Sequence, residues 1–362
     1  MAPQKPMSAL VPKTSADTID LESESRGSAH SPAVADLCCG MGGFSLAANS
    51  LGMRIVVGID ISATAIKTFQ RNFPDANAIV GSVRSSTVIA ECKSLLQRHS
   101  PSGTPFLVVS GPPCQGFSVA GTRDPADPRN QILIEVARAI TEMRPRCGLV
   151  ENVATLLSDK HRSRLAKFAR IVGEAGYYVQ SILLNAADFG VPQRRKRAFL
   201  LVTRRKLRSD DIAARLEKLK QPMLPVKAVL SGLPDPIIRP DDYNDEREYG
   251  DLYNHLAMQH SVKVMDKIAA LKPGTGPMSY RRLHPERPSN TLFSGNRAPP
   301  AHFSESRSIT VREAARLQGF PDSFRVFGSF GNQMGQVTNA VPPPLARAVL
   351  QVLIDLVGVP VL

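Results

Sequence analysis

Apolar residues in this chain recur with two periods. Short runs rich in β-branched residues occupy 33–38, 54–61, 76–83, 106–110, 148–153, 178–184 and 198–203. Between them lie stretches with helical spacing. In 130–143, for example, Ile132, Leu133, Val136, Ala139, Ile140 and Met143 recur along one face. Strands alternating with helices predict an α/β fold, a mostly parallel sheet with helices on both faces. The last two strands, joined by 185–197, can instead pair as an antiparallel edge.

The alternation fades after Thr203. Residues 205–300 contain Pro222, Pro225, Pro234, Pro236, Pro285, Pro288, Pro299 and Pro300 and predict a smaller, loop-rich body. Helical patterning returns from Ser308. There Thr310-Val311-Arg312-Glu313 has the form of a capping box, and Leu345, Val349, Leu350, Leu353, Ile354 and Val357 predict a C-terminal helix. Residues 1–32, rich in Ser, Pro, Ala and charge without apolar period, predict a disordered tail. The expected division is therefore a tail over 1–32, a main domain over 33–204, a second body over 205–300, and a return to the main domain over 301–362.

A length of 362 residues suits two compact bodies rather than one. No run of about 18 apolar residues occurs, so no membrane-spanning helix is expected, and the N-terminus lacks the apolar core of a secretory signal. The five cysteines, Cys38, Cys39, Cys92, Cys114 and Cys147, form no CxxC pair. No metal site is expected, and the odd, irregular count suits a reducing compartment. The net charge of +13 is uneven. Residues 193–227 hold twelve Lys or Arg against three Asp or Glu, a net of +9, which points to a polyanion partner or to a solvated face.

Four strand ends carry candidate chemistry. The first reads Asp36-Leu37-Cys38-Cys39-Gly40-Met41-Gly42-Gly43-Phe44, and Asp60-Ile61 ends the second, twenty residues after Gly40. Glycines at a strand-to-helix turn admit a ligand close to the backbone, and an acid at the next strand end accepts from ribose hydroxyls. Ser45 stands where a third glycine would complete a dinucleotide fingerprint, which weakens that reading. The fourth strand ends in Gly111-Pro112-Pro113-Cys114-Gln115-Gly116-Phe117-Ser118. A lone cysteine is most often a small buried apolar residue. The flanking prolines, glutamine and glycine argue instead for a stiff loop at the edge where open sheets bind ligands. Glu151-Asn152 ends the neighbouring strand, so Glu151 is expected in the same crevice, tending to protonate beside a thiolate; a loop salt bridge is the alternative. In Gln193-Arg194-Arg195-Lys196-Arg197 alternate residues share a face, so Gln193, Arg195 and Arg197 point together; a solvated basic edge is the alternative.

Taken together, these motifs resemble the DNA (cytosine-5)-methyltransferase family, of prokaryotic restriction-modification or orphan type. The resemblance runs in order from Ala33 to Leu345. Gly111–Ser118 is similar to the family's nucleophile loop, Glu151-Asn152-Val153 to its glutamate motif, Gln193-x-Arg195-x-Arg197 to its arginine motif, Arg307–Asp322 to its ninth motif, and Asn339-Ala340-Val341-Pro342-Pro343 to its last. Three positions depart from the pattern: Cys38 and Thr338 replace a usual Phe and Gly, and Ser82, after Gly81, replaces a usual Asp.

The resemblance implies a Rossmann-like S-adenosylmethionine-dependent methyltransferase sheet with a smaller loop-rich target-recognition domain over 205–300. It implies methyl transfer to C5 of a flipped cytosine in a specific DNA sequence. Cys114, Glu151 and Arg195 would be catalytic, with Cys114 bonding covalently to C6. Asp36, Gly40, Gly42, Gly43, Phe44, Asp60, Ile61, Ser82, Pro112, Asn339 and Val341 would hold S-adenosylmethionine. Gln115, Ser118, Asn152, Gln193, Arg197, Arg281, Arg282 and Arg297 would meet the DNA. The implied setting is a monomer on double-stranded DNA in a prokaryotic cytoplasm, with a cognate restriction endonuclease as a further partner and no membrane.

Overall fold

The density of apolar residues in each strand decides where it sits in the sheet. The computed structural model describes residues 31–99, 106–113, 131–277, 280–293 and 299–359. The expectations placed on residues 1–30 and on Cys114, Gln115, Ser118 and Arg297 lie outside these described residues. The predicted strands form β1 (Ala33–Leu37), β2 (Arg54–Asp60), β3 (Asn77–Val80), β4 (Phe106–Ser110), β5 (Cys147–Val153), β6 (Tyr178–Asn185) and, after a two-residue β7 (Gln193–Arg194), β8 (Lys196–Thr203). Apart from β7 they make one sheet in the order β3-β2-β1-β4-β5-β8-β6. β1 to β5 run parallel, whereas β8 is antiparallel to both β5 and β6. The last two strands do pair antiparallel, but β8 enters the sheet and leaves β6 at the edge. Ala198 to Val202 is an unbroken apolar run, buried throughout, as a strand covered on both faces requires. β6 carries Gln180 and Ser181 and stays half-exposed, as an edge can.

Two apolar layers cover the sheet. On one face α3 (Ser86–His99), α4 (Ile132–Met143) and α5 (Arg162–Glu174) bury Ile89, Leu96, Val136, Ile140, Phe168 and Val172. On the other lie α1 (Gly43–Asn49) and α2 (Ala63–Asn72), joined by segments from far along the chain. α6 (Ser209–Lys218) and α7 (Val226–Leu230) belong to this second layer through Ile212, Leu216, Val226, Val229 and Leu230. The first two helices of the segment expected as a second body thus pack on the main core, as do Leu283 and Leu292 further along it. Residues 205–230 are apolar at helical spacing and complete the main core, a signal that the prolines obscured.

Beyond Leu233 the chain is loop-rich, with β9 (Ile237–Ile238) paired to β10 (Leu256–Ala257), then α8 (Val262–Ala269) and β11 (Ser289–Asn290). Residues 241–251 are acidic and lie against the main domain. Lys67 of α2 pairs with Glu246 at 2.7 Å, Arg325 pairs with Glu248, and Asn254 donates to the Val326 carbonyl at 2.8 Å. β11 pairs in parallel with β7, so the loop-rich segment is stitched to the strand that carries the arginine motif.

The chain returns through α9 (Val311–Leu317), α10 (Phe330–Asn339) and α11 (Pro343–Val357). Thr310 caps α9 and forms the predicted box with Glu313, worth about 1 kcal/mol. α10 and α11 together are long and apolar enough to cross a membrane, yet 78% of that apolar window is buried in the protein. Pro342 and Pro343 break it in two, and α11 packs on α1. Its apolar character serves the core.

Arg312, in α9, is fully buried. Its guanidinium donates to the carbonyls of Tyr253 (2.9 Å), Pro321 (2.7 Å) and Phe324, tying the acidic segment and the loop before α10 to α9. Desolvation pulls its pKa down to about 10, so the charge persists at neutral pH. Arg312→Met should lower the free energy of unfolding by roughly 3 kcal/mol in a denaturant titration, since three carbonyls lose a charged donor. Unchanged stability would show that this rivet carries no net weight.

Candidate active site

The turn after β1 is held open by backbone conformation. Cys38, Gly40 and Gly42 all have positive φ, at 61°, 54° and 98°. Gly42 N-caps α1 in the left-handed region, where glycine alone is unstrained. A Cβ on Gly43 would lie 2.2 Å from the Val341 carbonyl oxygen. The first turn of α1 thus packs directly on the loop between α10 and α11, and only glycine permits it. Asp60 at the end of β2 accepts from Gly40 N at 3.0 Å and Ser62 N at 2.9 Å, fixing the turn from the other side.

These residues fit S-adenosylmethionine. Asp36 is 1% exposed. Its Oδ2 accepts from Ser45 Oγ at 2.7 Å, while Oδ1 is buried without a partner. An acceptor of that kind is a complement for a cationic donor. Ile61 is 75% exposed beside Asp60, an apolar surface suited to a flat ring. Ser82 is half-exposed, and its hydroxyl accepts from Arg84 N at 3.2 Å. The Phe44 ring is buried edge-on against Phe199, with centroids 6.5 Å apart. Thr338 needs no unusual backbone: it lies within α10 and its hydroxyl donates to Met334 O at 2.9 Å.

The second half of the site lies where β4 and β5 end and the antiparallel β8 begins. Glu151 is 7% exposed, and its carboxylate meets Arg197 Nε at 2.7 Å. A Cβ on Gly111 would lie 3.9 Å from Glu151 Oε2 and 3.4 Å from Val341 Cγ2. The nucleophile loop therefore starts between the glutamate and the loop that touches the cofactor turn. Burial pushes the Glu151 carboxyl up from its ordinary range, and Arg197 and Arg195 pull it back. Arg195 is buried, and its Nη2 donates to Ala340 O at 3.3 Å. Asn152 Nδ2 donates to Pro112 O at 3.3 Å, bracing the same loop. Pro112 is buried, whereas Pro113, the last described residue before Cys114, is exposed.

The arginine strand alternates as its sequence implies. Gln193 and Arg195 are buried, Arg197 is half-buried, and Arg194 and Lys196 are exposed. Gln193 nevertheless has no free polar group for DNA. Its amide donates to Leu317 O and Gln318 Oε1, each at 3.2 Å, and accepts from Leu292 N at 3.1 Å. Arg282 is likewise committed: 7% exposed, it donates to carbonyls of Ile268, Ala269, Leu271, Phe303, Ser304 and Glu305. Arg281 and Asn339 are exposed. The sequence reading placed Gly111 and Gln318 within motifs but gave neither a role of its own, because their weight comes from contacts distant in the chain.

Asp36 gives the site a pH signature. Burial raises its carboxyl from 3.8 to about 7. Between those values the folded protein holds a proton that the unfolded chain has released, so folded stability falls as pH rises through this interval. Without ligand, the wild type should lose up to roughly 4 kcal/mol from this group between pH 4 and pH 7, and Asp36→Asn should remove that slope while keeping an acceptor for Ser45. Denaturant titrations at several pH values check it; parallel slopes for the two proteins would refute it.

Comparison with known proteins agrees with this geometry. The family model for C-5 cytosine-specific DNA methylases matches residues 33–355. The Type II methyltransferase M1.HphI of Haemophilus parahaemolyticus is 32% identical over 89% of this chain and 86% of its own. M.DdeI of Desulfomicrobium norvegicum is 29% identical over 88% and 87%. Among solved structures, a candidate DNA modification methyltransferase encoded within an E. coli prophage superposes with a TM-score of 0.74 at 27% identity, over 91% of this chain and all of that one. The Dnmt2 methyltransferase of S. pombe shares the fold, with a TM-score of 0.60 at 17% identity, over 90% and 99%. With the glycine turn, the buried Glu151–Arg197 pair and Gly111 set beside both Glu151 and Val341, the chain belongs to the C-5 cytosine-specific DNA methylase family and transfers a methyl group from S-adenosylmethionine to C5 of cytosine in DNA.

Proposed function

We propose that Cys114 is the nucleophile, that Glu151 is the proton donor to the target cytosine, and that Arg195 steadies the pyrimidine on its O2 side. The observation that carries this is the convergence of Gly111, Glu151 and Val341, which joins the start of the nucleophile loop, the acid and the cofactor side of the crevice. The substrate is a cytosine in duplex DNA, swung out of the stack because the duplex hides both its edge and its face. The Cys114 thiolate adds to C6, the ring electrons move toward C5, and Glu151 supplies a proton or a hydrogen bond at N3. Burial keeps Glu151 within reach of its protonated form, and Arg197 fixes its direction. S-adenosylmethionine, when bound by Asp36, Gly40, Gly42, Gly43, Asp60, Ile61, Pro112, Asn339 and Val341, supplies the electrophilic methyl group that C5 accepts. Release of the C5 proton to water restores the double bond and expels the Cys114 thiolate.

Target readout belongs to the loop-rich residues beyond Leu233 rather than to 205–233, which complete the main core. Within it the acidic run 241–251 is unsuited to phosphate. Arg281, exposed, is the described arginine of the predicted set that remains available for the duplex. The enzyme acts as a monomer in a prokaryotic cytoplasm, and a cognate restriction endonuclease is the partner that its Type II relatives suggest.

Bisulfite sequencing of DNA exposed to the purified protein should reveal protected cytosines within one recurrent sequence. Cys114→Ser should abolish transfer yet keep duplex affinity, which comes mainly from phosphates. Glu151→Gln should lower kcat by about 10² or more. A duplex with 5-fluorocytosine at the target should trap the wild type covalently when cofactor is present, and an untrapped wild type would remove the thiolate mechanism.

A further inference from the structure

Gln193 and Gln318 are both completely buried. Gln193 lies in β7, two residues before Arg195 and opposite Ser289 of β11. Its Oε1 accepts from Leu292 N at 3.1 Å, and Thr291 Oγ1 donates to Arg194 O at 2.8 Å. The strand that leaves the loop-rich segment is thereby fastened to the arginine motif. The Gln193 Nε2 donates at 3.2 Å to Gln318 Oε1. Gln318 Nε2 donates in turn to Val337 O at 2.9 Å and Thr338 O at 3.4 Å, the last carbonyls of α10 before Asn339-Ala340-Val341. That loop takes Arg195 Nη2 on Ala340 O and presses the Val341 carbonyl against Gly43 of the cofactor turn.

A continuous hydrogen-bonded path thus runs from Leu292, through two side-chain amides, to the end of α10, whose next residues touch the cofactor turn. Amides suit this path because each donates and accepts at once, so one side chain can grip two backbone segments. In a buried site every such bond also has a high cost of being left unmade. A shift of the 289–293 strand would therefore be felt at Val341.

We propose that Gln193 and Gln318 are positioning residues that couple the DNA side of the site to the cofactor side, so that duplex and S-adenosylmethionine bind cooperatively. This rests on the reading that the duplex lies against the Arg195 side of the crevice. Coupling of this kind is reciprocal and typically amounts to about 5- to 150-fold in affinity.

The test titrates S-adenosylhomocysteine, an unreactive probe, into the full chain by calorimetry, with and without a duplex carrying the site found by bisulfite sequencing. The wild type should bind the probe at least about fivefold more tightly with the duplex present. Gln193→Met, Gln318→Met and the double variant should bring that ratio close to one. The double variant removes the unpaired amide that either single change leaves, and so guards against a fold too weakened to assay. A thermal midpoint shows which variants are folded. A wild type whose probe affinity ignores the duplex overturns the relay, as does any folded variant that keeps the wild-type ratio. Methyl transfer by the wild type to the same duplex is scored separately; its failure would count against the active-site reading and not against the relay.

Discussion

The site depends on one close approach, that of Gly43 to the Val341 carbonyl. No side chain, not even a methyl group, fits between the first turn of α1 and the loop that joins α10 to α11. Because that approach holds, the cofactor turn, the carbonyl that receives Arg195 and the side chain of Val341 beside Gly111 occupy one small region. Three motifs separated by long stretches of chain are then set by a single backbone contact. The burial of α11 against the sheet supplies the force that keeps it closed: twelve of its fifteen residues are buried, and each large aliphatic among them contributes about 1.5–3 kcal/mol.

Electrostatics at the catalytic edge balance two opposed effects. Burial favours a neutral Glu151, whereas Arg197 at 2.7 Å favours the carboxylate. A buried acid held between these influences can change protonation at modest cost, as a donor to a ring nitrogen must. At Asp36 burial is opposed only by hydrogen bonds from Ser45, with no cation among the causes of its shift. Its Oδ1 has no partner, and desolvation lifts it to about 7. A cationic group placed beside it would relieve that penalty.

Much of this was legible in the sequence, because strands and their ends carry short-range signals. The seven strands of the sheet, the Thr310–Glu313 box and the alternation of Gln193, Arg195 and Arg197 all follow from periods of two or from capping chemistry. Long-range relations were less visible. The insertion of β8 between β5 and β6 follows from the unbroken apolar run 198–202, yet the pattern alone also allowed an edge position. Arg282 is indistinguishable in sequence from a DNA-reading arginine, and only its six carbonyl partners show otherwise. Prolines suggested a new body from residue 205, whereas α6 and α7 turned out to cover the first.

The Gly43–Val341 contact also sets an order in time. Val341 is synthesised nearly three hundred residues after Gly43. At ribosomal rates of about 5–20 residues per second, the glycine turn waits some 15–60 seconds for the loop that completes it. During that interval the second apolar layer lacks α9, α10 and α11. Until Val341 is made, the first turn of α1 lacks the carbonyl it packs against, and the cofactor side of the site is incomplete. The same delay makes the uncovered face the place where a chaperone, or another unfinished chain, would take hold first.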